Sequence, residues 1–412
     1  MEGKVLKKQI RQLCFCIITI SVISLLIIIN KFNILENLLD KTWFSKPSTS
    51  VVENSEDYFT NEELTNIKVS LNSQNLYYYE QLNDKEKEIF NYIYISIKNR
   101  KEAIYFKNPI ELNLLTNIVY IIKFDCPEFY FLGNSFDYDI KSKKVTTYYP
   151  EYILSEKQYS KMQKEIDQII LEIRDLTANQ TEYDAEIIIH NYIAKECEYV
   201  IDSQNCNNLY GCLIEKKANC EGYSAAFSYL LRQIGIESTQ VIGEVPYEDE
   251  MVGHSWNLVK IDGDYYYVDV CWDDLANIPE YNDIDYHFAF FNITYDEITE
   301  LRNIEKNLTY LGDLPKSTST TLNYYKKSEL YITSLENAEK IIKEKLPITI
   351  STNEKFFVLK CNSKETYNEL LENITNIMQE TINEYKLAIT KCKYAKIDNG
   401  YTLIIHNFSY KK

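Results

Sequence analysis

The sequence predicts a mixed α+β fold, and three features of its central region lead to this prediction. Asn219 is a suitable N-cap, and apolar residues then recur at helical spacing until Gly235, which predicts a helix that begins at Cys220. Strands are predicted to follow it, over Ser238 to Val245, His254 to Ile261 and Asp264 to Val270. The last two strands flank Asp262-Gly263, a dipeptide that favours a two-residue hairpin turn.

The hairpin turn predicts which residues of the two strands face one another. In a two-residue turn Ile261 opposes Asp264, and counting outward places His254 opposite Cys271. His254 and Asp269 then share one face of the sheet as diagonal neighbours. We expect the preceding helix to pack across this face. A shift of one residue would turn Asp269 to the other face, so this prediction depends on the register.

Cys220 has the features of a nucleophile. At a helix start it lies near unpaired N–H groups and the positive end of the helix dipole, which favour a thiolate. An imidazole and a carboxylate on the facing sheet would supply a base and a group that orients it. Of the four histidines, His254 comes with such a carboxylate, that of Asp269. The other three are interpreted as structural: His190, His287 and His406.

Sequence motifs around these residues resemble those of the transglutaminase-like superfamily. They are KANCEGYS at 217–224, GHSWN at 253–257 and YVDVCWD at 267–273. In addition, YHFAFFN at 286–292 resembles the segment that closes the domain in bacterial extracytoplasmic members. The resemblance implies a transglutaminase-like, papain-like α+β core with a catalytic triad of Cys220, His254 and Asp269. It implies a thioester on Cys220. No cofactor and no metal are predicted.

The resemblance also implies the substrate class, a glutamine-type or peptide amide in a protein or a cell-wall peptide. Resolution of the thioester by an amine gives a cross-link, whereas resolution by water makes the protein a cysteine protease or amidase. A non-catalytic surface or cell-wall binding protein on the same fold is a further alternative. The backbone N–H of Cys220 is a candidate oxyanion donor, and Tyr210 and Gln204 are candidates for a second one.

Other residues near the motifs have simpler interpretations. Cys271 lies within a predicted strand, without a helix start to activate it, and is interpreted as structural. Trp256 and Trp272 either shield the thioester from water or pack beneath the hairpin. The carboxylates of Asp273-Asp274 lack an EF-hand pattern, so they predict solvated loops and no calcium site.

The composition of the whole chain excludes some function classes. A net charge of −17 over 412 residues disfavours binding to nucleic acid. The cysteines show no Cys-x-x-Cys spacing, so no zinc site is predicted. The sequence leaves open whether Cys206 and Cys212 form a disulfide, and it does not predict an oligomeric state.

The N-terminus predicts a membrane anchor. Residues 13–29 form an apolar run without charge, preceded by four basic residues, Lys4, Lys7, Lys8 and Arg11. As a helix with a rise of about 1.5 Å per residue, the run is roughly 25 Å long, slightly short of a typical bilayer core but workable as a span. The basic flank predicts a cytoplasmic N-terminus and an extracytoplasmic bulk. A cleaved signal peptide is the alternative, but no small-residue cleavage site follows Asn30.

The chain is predicted to contain five segments. They are a cytoplasmic tip and transmembrane anchor at 1–30, a flexible spacer at 31–75, an α+β subdomain at 76–150, the catalytic core at 151–314 and a small α+β module at 322–412. A run rich in Ser and Thr at 315–321 predicts a linker before the last module. That module carries no chemical motif.

Overall fold

The computed structural model describes residues 75–247, 250–275, 284, 286–304 and 312–410. The predicted anchor at 1–30 and all but the last residue of the spacer at 31–75 lie outside these residues. Within the described ranges, no helix combines the length and the apolarity needed to cross a bilayer. The described chain has a mixed α+β fold, as predicted.

The chain divides into two compact units. Of the described residues, the first unit contains those up to 161, those within 242–254 and those within 302–312, and the second contains the remainder, which lie within 162–241, 255–301 and 313–412. Cys220 and Asp269 therefore belong to the second unit, whereas His254 is the last residue of a segment of the first.

The first unit begins with helices and a three-stranded antiparallel sheet in the strand order β1-β3-β2. The elements are α1 (Tyr77–Glu80), α2 (Asp84–Lys98), β1 (Ile104–Ile110), α3 (Leu112–Asp125), β2 (Leu132–Lys141) and β3 (Lys144–Tyr152). Asn83 starts α2 with a capping box, in which its side chain accepts from the N–H of Glu86 and the Glu86 carboxylate accepts from the N–H of Asn83. The chain then enters the long helix α4 (Glu156–Thr177).

The centre of the fold is a buried helix and the sheet that follows it. The elements are α5 (Glu182–Glu196), β4 (Glu198–Tyr199), β5 (Lys217–Ala218), α6 (Cys220–Gln233), β6 (Ser238–Tyr247), β7 (Glu250–Ile261), β8 (Asp264–Val268), α7 (Val270–Asp273), α8 (Tyr295–Leu301) and β9 (Asn303–Ile304). The sheet has the strand order β8-β7-β6-β9. Every residue of α6 from Gly222 to Leu231 is buried, whereas one apolar stripe was predicted. On the other faces of the helix the buried residues include small ones, such as Ala226 and Ser228, which allow other segments of the same chain to pack closely against it.

The hairpin has the predicted register, with Ile261 opposite Asp264. The two turn residues have φ angles of 51° and 90°, which a two-residue turn of this type requires and which Asp-Gly tolerates. However, β8 ends at Val268 because Asp269 caps the short helix α7. Cys271 lies in that helix, so its predicted position in a strand opposite His254 is wrong.

The C-terminal residues form a four-stranded sheet in the order β10-β11-β13-β12, with two long helices. The elements are α9 (Tyr324–Lys327), β10 (Tyr331–Ile332), α10 (Leu335–Thr352), β11 (Phe356–Cys361), α11 (Lys364–Glu384), β12 (Ile389–Ile397) and β13 (Thr402–Tyr410). Their apolar faces enclose one core, which includes Leu359, Leu370 and Leu403. Residues 315–321 form neither helix nor strand, but the hydroxyl of Tyr267 in β8 donates to the carbonyl of Pro315 at 3.0 Å. The predicted linker is thus bound to the central hairpin.

A buried lysine attaches the C-terminal residues to the segment that follows α7. The ammonium of Lys360 donates to the carbonyls of Ala289 at 3.0 Å and Gly400 at 2.9 Å, although the residue is only 5% exposed. Gly400 lies so close that a Cβ added there would be 2.8 Å from that of Ala289. The C-terminal sheet therefore supports residues 287–290, which lead to the candidate site.

Candidate active site

Cys220 is the first residue of α6, and the start of this helix is fixed by two sets of contacts. The side chain of Asn219 accepts from the N–H groups of Glu221 at 3.0 Å and Gly222 at 3.2 Å. The N–H of Asn219 donates to the carbonyl of Cys206 at 2.7 Å. A Cβ added at Gly222 would lie 2.5 Å from that carbonyl oxygen, so glycine is needed for the loop to approach. The predicted N-cap is confirmed.

A cluster of buried polar side chains joins α6 to the central sheet. The hydroxyl of Ser224, one turn after Cys220, donates to the side-chain oxygen of Gln240 at 3.0 Å and lies 2.7 Å from the hydroxyl of Ser255. The side-chain amide of Asn257 donates to the carbonyl of Ser224 at 2.9 Å. Leaving buried polar groups unpaired costs free energy, so these hydrogen bonds fix the rotation and position of the helix on the sheet.

Two side chains of β7, those of Ser255 and Asn257, contact α6 at Ser224. Docking of the helix across the face that carries His254 and Asp269 stays a prediction.

The sulfur of Cys220 is buried beside the backbone of β7. The residue is 2% exposed, and burial raises the pKa of its thiol to about 12. The negative charges of Glu221 and Asp269 also raise this pKa, whereas a hydrogen bond from the N–H of Ser255 to the sulfur lowers it. In this buried state, desolvation therefore outweighs the backbone N–H groups that favour a thiolate. At neutral pH the thiol keeps its proton, so attack on a substrate requires a base beside the sulfur.

Asp269 is fully buried at the start of α7. Its N–H donates to the carbonyl of Phe290 at 3.0 Å, and its Oδ1 accepts from the N–H of Trp272 at 3.1 Å. Its negative charge raises the pKa of both Cys220 and Cys271. The structure thus brings Cys220 and Asp269 into one buried region of the second unit.

His254 immediately precedes Ser255 in β7, and it is buried. Its backbone is therefore one residue away from the N–H that binds the Cys220 sulfur. Its role as the base for Cys220 and as the partner of Asp269 stays a prediction.

The candidates for a second oxyanion donor are placed unfavourably. The hydroxyl of Tyr210 donates to the carboxylate of Glu165, and Gln204 is exposed. The N–H of Cys220 remains a candidate, because the cap accepts from the next two residues and N–H groups of a first turn lack intrahelical acceptors. Of the two tryptophans, Trp256 is buried and Trp272 packs edge-on against Phe290 with a centroid separation of 5.2 Å.

A second buried acid, Asp273, was missed from the sequence. Its Oδ2 lies 3.2 Å from Nε2 of His190, and its Oδ1 lies 2.8 Å from Nδ1 of His287. All three side chains are fully buried, so the predicted solvated loop is wrong for Asp273. Burial raises the pKa of Asp273, but the two imidazoles outweigh it and hold the pKa below its ordinary value. The histidines lie on distant segments, so no local sequence pattern signals this cluster.

Comparison with known proteins identifies the family. A family model described as the transglutaminase-like superfamily matches residues 173–270, which include Cys220, His254 and Asp269. This region of the chain belongs to the transglutaminase-like superfamily. The family resemblance predicted from the sequence motifs is thereby confirmed.

Two solved structures are similar to part of the chain. One, from Cytophaga hutchinsonii and provisionally described as a cysteine protease, is 17% identical with a TM-score of 0.24 and aligns 26% of this chain with 37% of its own. The other, described as a TGase, is 15% identical with a TM-score of 0.25 and aligns 41% of this chain with 50% of its own. The chain thus spans half or less of the length of each structure. No curated protein matches the chain.

A further buried acid, on α5, is expected to give the protein an unusual dependence of stability on pH. Glu186 in α5 is fully buried and accepts from the side-chain amide of Asn292 at 2.7 Å. Burial raises the pKa of Glu186 to about 8, although the hydrogen bond from Asn292 opposes this. The folded protein therefore keeps a proton that the unfolded chain, with a pKa of 4.5, releases. This group should lower the free energy of unfolding as pH rises from 4.5 to about 8, by about 1.4 kcal/mol per pH unit.

Glu186→Gln tests this pH dependence, because glutamine keeps the acceptor for Asn292 and cannot ionise. Urea unfolding of both proteins at pH 5, 6.5 and 8 should give a stability difference that grows with pH in favour of the variant. All other titrating groups are shared and cancel in this difference. Parallel pH curves for the two proteins would contradict the protonated state of Glu186.

Proposed function

We propose that this protein is a membrane-anchored, extracytoplasmic cysteine enzyme that transfers the acyl group of glutamine-type or peptide amides. Cys220 would be the nucleophile, His254 the base and Asp269 the acid that orients the imidazole. One observation carries the proposal. The buried thiol of Cys220 lies at a capped helix start, its sulfur accepts a hydrogen bond from the N–H of Ser255, and the negative charge of Asp269 raises its pKa. His254 is the neighbour of Ser255 in the chain. Membership of the superfamily supports this assignment.

The protonated state of the thiol determines the first step. As the sulfur forms a bond to the carbonyl carbon, His254 would take the thiol proton, and the N–H of Cys220 would stabilise the oxyanion. The carbon–nitrogen bond then breaks, and the imidazolium returns the proton to the leaving ammonia or amine. Asp269 would hold the imidazole in one tautomer and stabilise its charged form. The product is a thioester on Cys220.

The second step decides between cross-linking and hydrolysis. A primary amine that attacks the thioester gives a new amide, and water gives a carboxylic acid. The full chain, with a small glutamine peptide and a biotin-labelled primary amine, separates the two outcomes. Amine incorporation that Cys220→Ala abolishes supports the transferase, and ammonia or peptide release without amine uptake supports the protease or amidase. Equal signals from the wild type and Cys220→Ala would overturn the proposed enzymatic activity and favour a non-catalytic surface binding protein.

The proposed location rests on the sequence alone. The apolar run at 13–29, with basic residues before it, supports an anchor with the bulk of the chain outside. Protease added to intact cells should remove a tag placed at the C-terminus, whereas a protected tag would exclude this orientation.

A further inference from the structure

The short helix α7 is closed by hydrogen bonds at both of its ends. The N–H of Asp269 donates to the carbonyl of Phe290 at 3.0 Å, and the N–H of Phe290 donates to Oδ1 of Asp273 at 2.9 Å. The N–H of Asp273 donates back to the carbonyl of Asp269 at 3.1 Å. A fourth bond, from the N–H of His287 to the carbonyl of Asp273 at 2.9 Å, joins the same two segments. These bonds form a ring, and the carboxylate of Asp273 is the side chain that completes it.

The Asp273 carboxylate is itself fixed from two further directions. His190 reaches it from α5 and His287 reaches it from the segment after α7, at 3.2 Å and 2.8 Å. A buried carboxylate without such partners would be strongly unfavourable, so the two imidazoles make a charged group tolerable here. Its pKa below the ordinary value is consistent with an ionised side chain at neutral pH. The charge also strengthens the bond from the N–H of Phe290.

We infer that Asp273, held between His190 and His287, is a positioning residue that fixes the direction of the Asp269 carboxylate. This inference rests on the proposed function only in taking Asp269 as the acid of the triad. Asp273 lies outside residues 173–270, the part of the chain that matches the family model. Since α7 is only four residues long, it has little stability of its own and depends on the ring for its geometry.

Asp273→Asn is the direct test, because asparagine has the same shape and removes the charge. Hydrogen exchange of residues 269–273 should become at least about tenfold faster in the variant, while exchange of α6 stays unchanged. With the glutamine peptide and labelled amine, kcat should fall about 10- to 100-fold at nearly constant KM, as it does when the partner that orients a metal-ligating side chain is lost. The pH profile of Cys220 alkylation by iodoacetamide should also change, which a purely structural role of Asp273 would not cause.

Two more variants make the test specific. His190→Gln keeps a hydrogen-bond donor towards Asp273 and should give a smaller change in the same direction, so it replaces Asp273→Asn if that variant does not fold. Glu186→Gln is the control, since Glu186 lies one turn from His190 on α5 and none of its bonds belongs to the ring. It should leave exchange at 269–273 and Cys220 alkylation unchanged.

The possible results separate this inference from the proposed function. Wild-type exchange at 269–273 in a folded Asp273→Asn protein would overturn the inference. Faster exchange with an unchanged pH profile of Cys220 alkylation would also overturn it, since Asp273 would then act on local stability alone. If instead the wild type and Cys220→Ala show equal signals with the glutamine peptide, the proposed function fails, and exchange and alkylation still decide the role of Asp273.

Discussion

Replacement of Cys220 by serine is expected to lower kcat/KM for the glutamine peptide by about 10⁴-fold or more. A serine hydroxyl in this buried position is a much weaker acid than the thiol, so a neighbouring imidazole cannot ionise it as readily. The fold should remain intact, because the helix start is capped by Asn219 and the contacts to the sheet are made by Ser224. Steady-state kinetics and thermal unfolding of the same preparation measure both effects.

Cys271→Ser provides the matched control for this result. Cys271 is a partly buried thiol whose pKa is also raised by burial and by the charge of Asp269, but it lies within α7 and not at the start of a long helix. Its replacement should leave kcat/KM within about threefold of the wild type, as for a substitution without a catalytic role. Loss of activity in Cys271→Ser, with activity retained in Cys220→Ser, would mean that Cys271 is the nucleophile and that the assignment to Cys220 is wrong.

Features governed by local chemistry could be predicted from the sequence. Asn219 caps α6 and Asp262-Gly263 turns the hairpin in the predicted register, because a cap and a two-residue turn each depend on a few adjacent residues. The motif resemblance likewise identified the family correctly. Cys220 and Asp269 both proved to be buried in the second unit of the chain.

Features governed by distant segments could not be predicted. The strand β8 ends early because Asp269 forms a cap with Trp272, and this competes with continuation of the ladder towards Cys271. The state of the Cys220 thiol depends on how deeply α6 is buried, which its amphipathic pattern understated. Asp273 owes its burial to His190, which lies 83 residues away. Such contacts follow from tertiary packing and leave no local pattern in the sequence.

Asp269→Asn is expected to change turnover and thiol acidity in opposite directions. Asparagine can still accept from the N–H of Trp272 and cap α7, so the local fold should persist. The negative charge of Asp269 raises the pKa of the Cys220 thiol, so its removal should lower that pKa. If Asp269 orients His254, the same change should nevertheless lower kcat/KM by about 10³- to 10⁴-fold, because the imidazole loses its tautomer and the support of its cationic form.

The opposing directions distinguish an orienting acid from a nearby charge. Iodoacetamide alkylation of Cys220 between pH 8 and 10 reports thiol acidity, and turnover of the glutamine peptide reports the assembled triad. Asp269→Ala removes the charge and the cap of α7 together, so any additional loss of activity or stability in that variant measures the cap. Faster alkylation with unchanged turnover in Asp269→Asn would mean that Asp269 influences the thiol only through its charge. Faster alkylation with strongly reduced turnover requires that Asp269 act through a base. We expect this base to be His254, which is adjacent in sequence to Ser255, the residue whose N–H binds the sulfur.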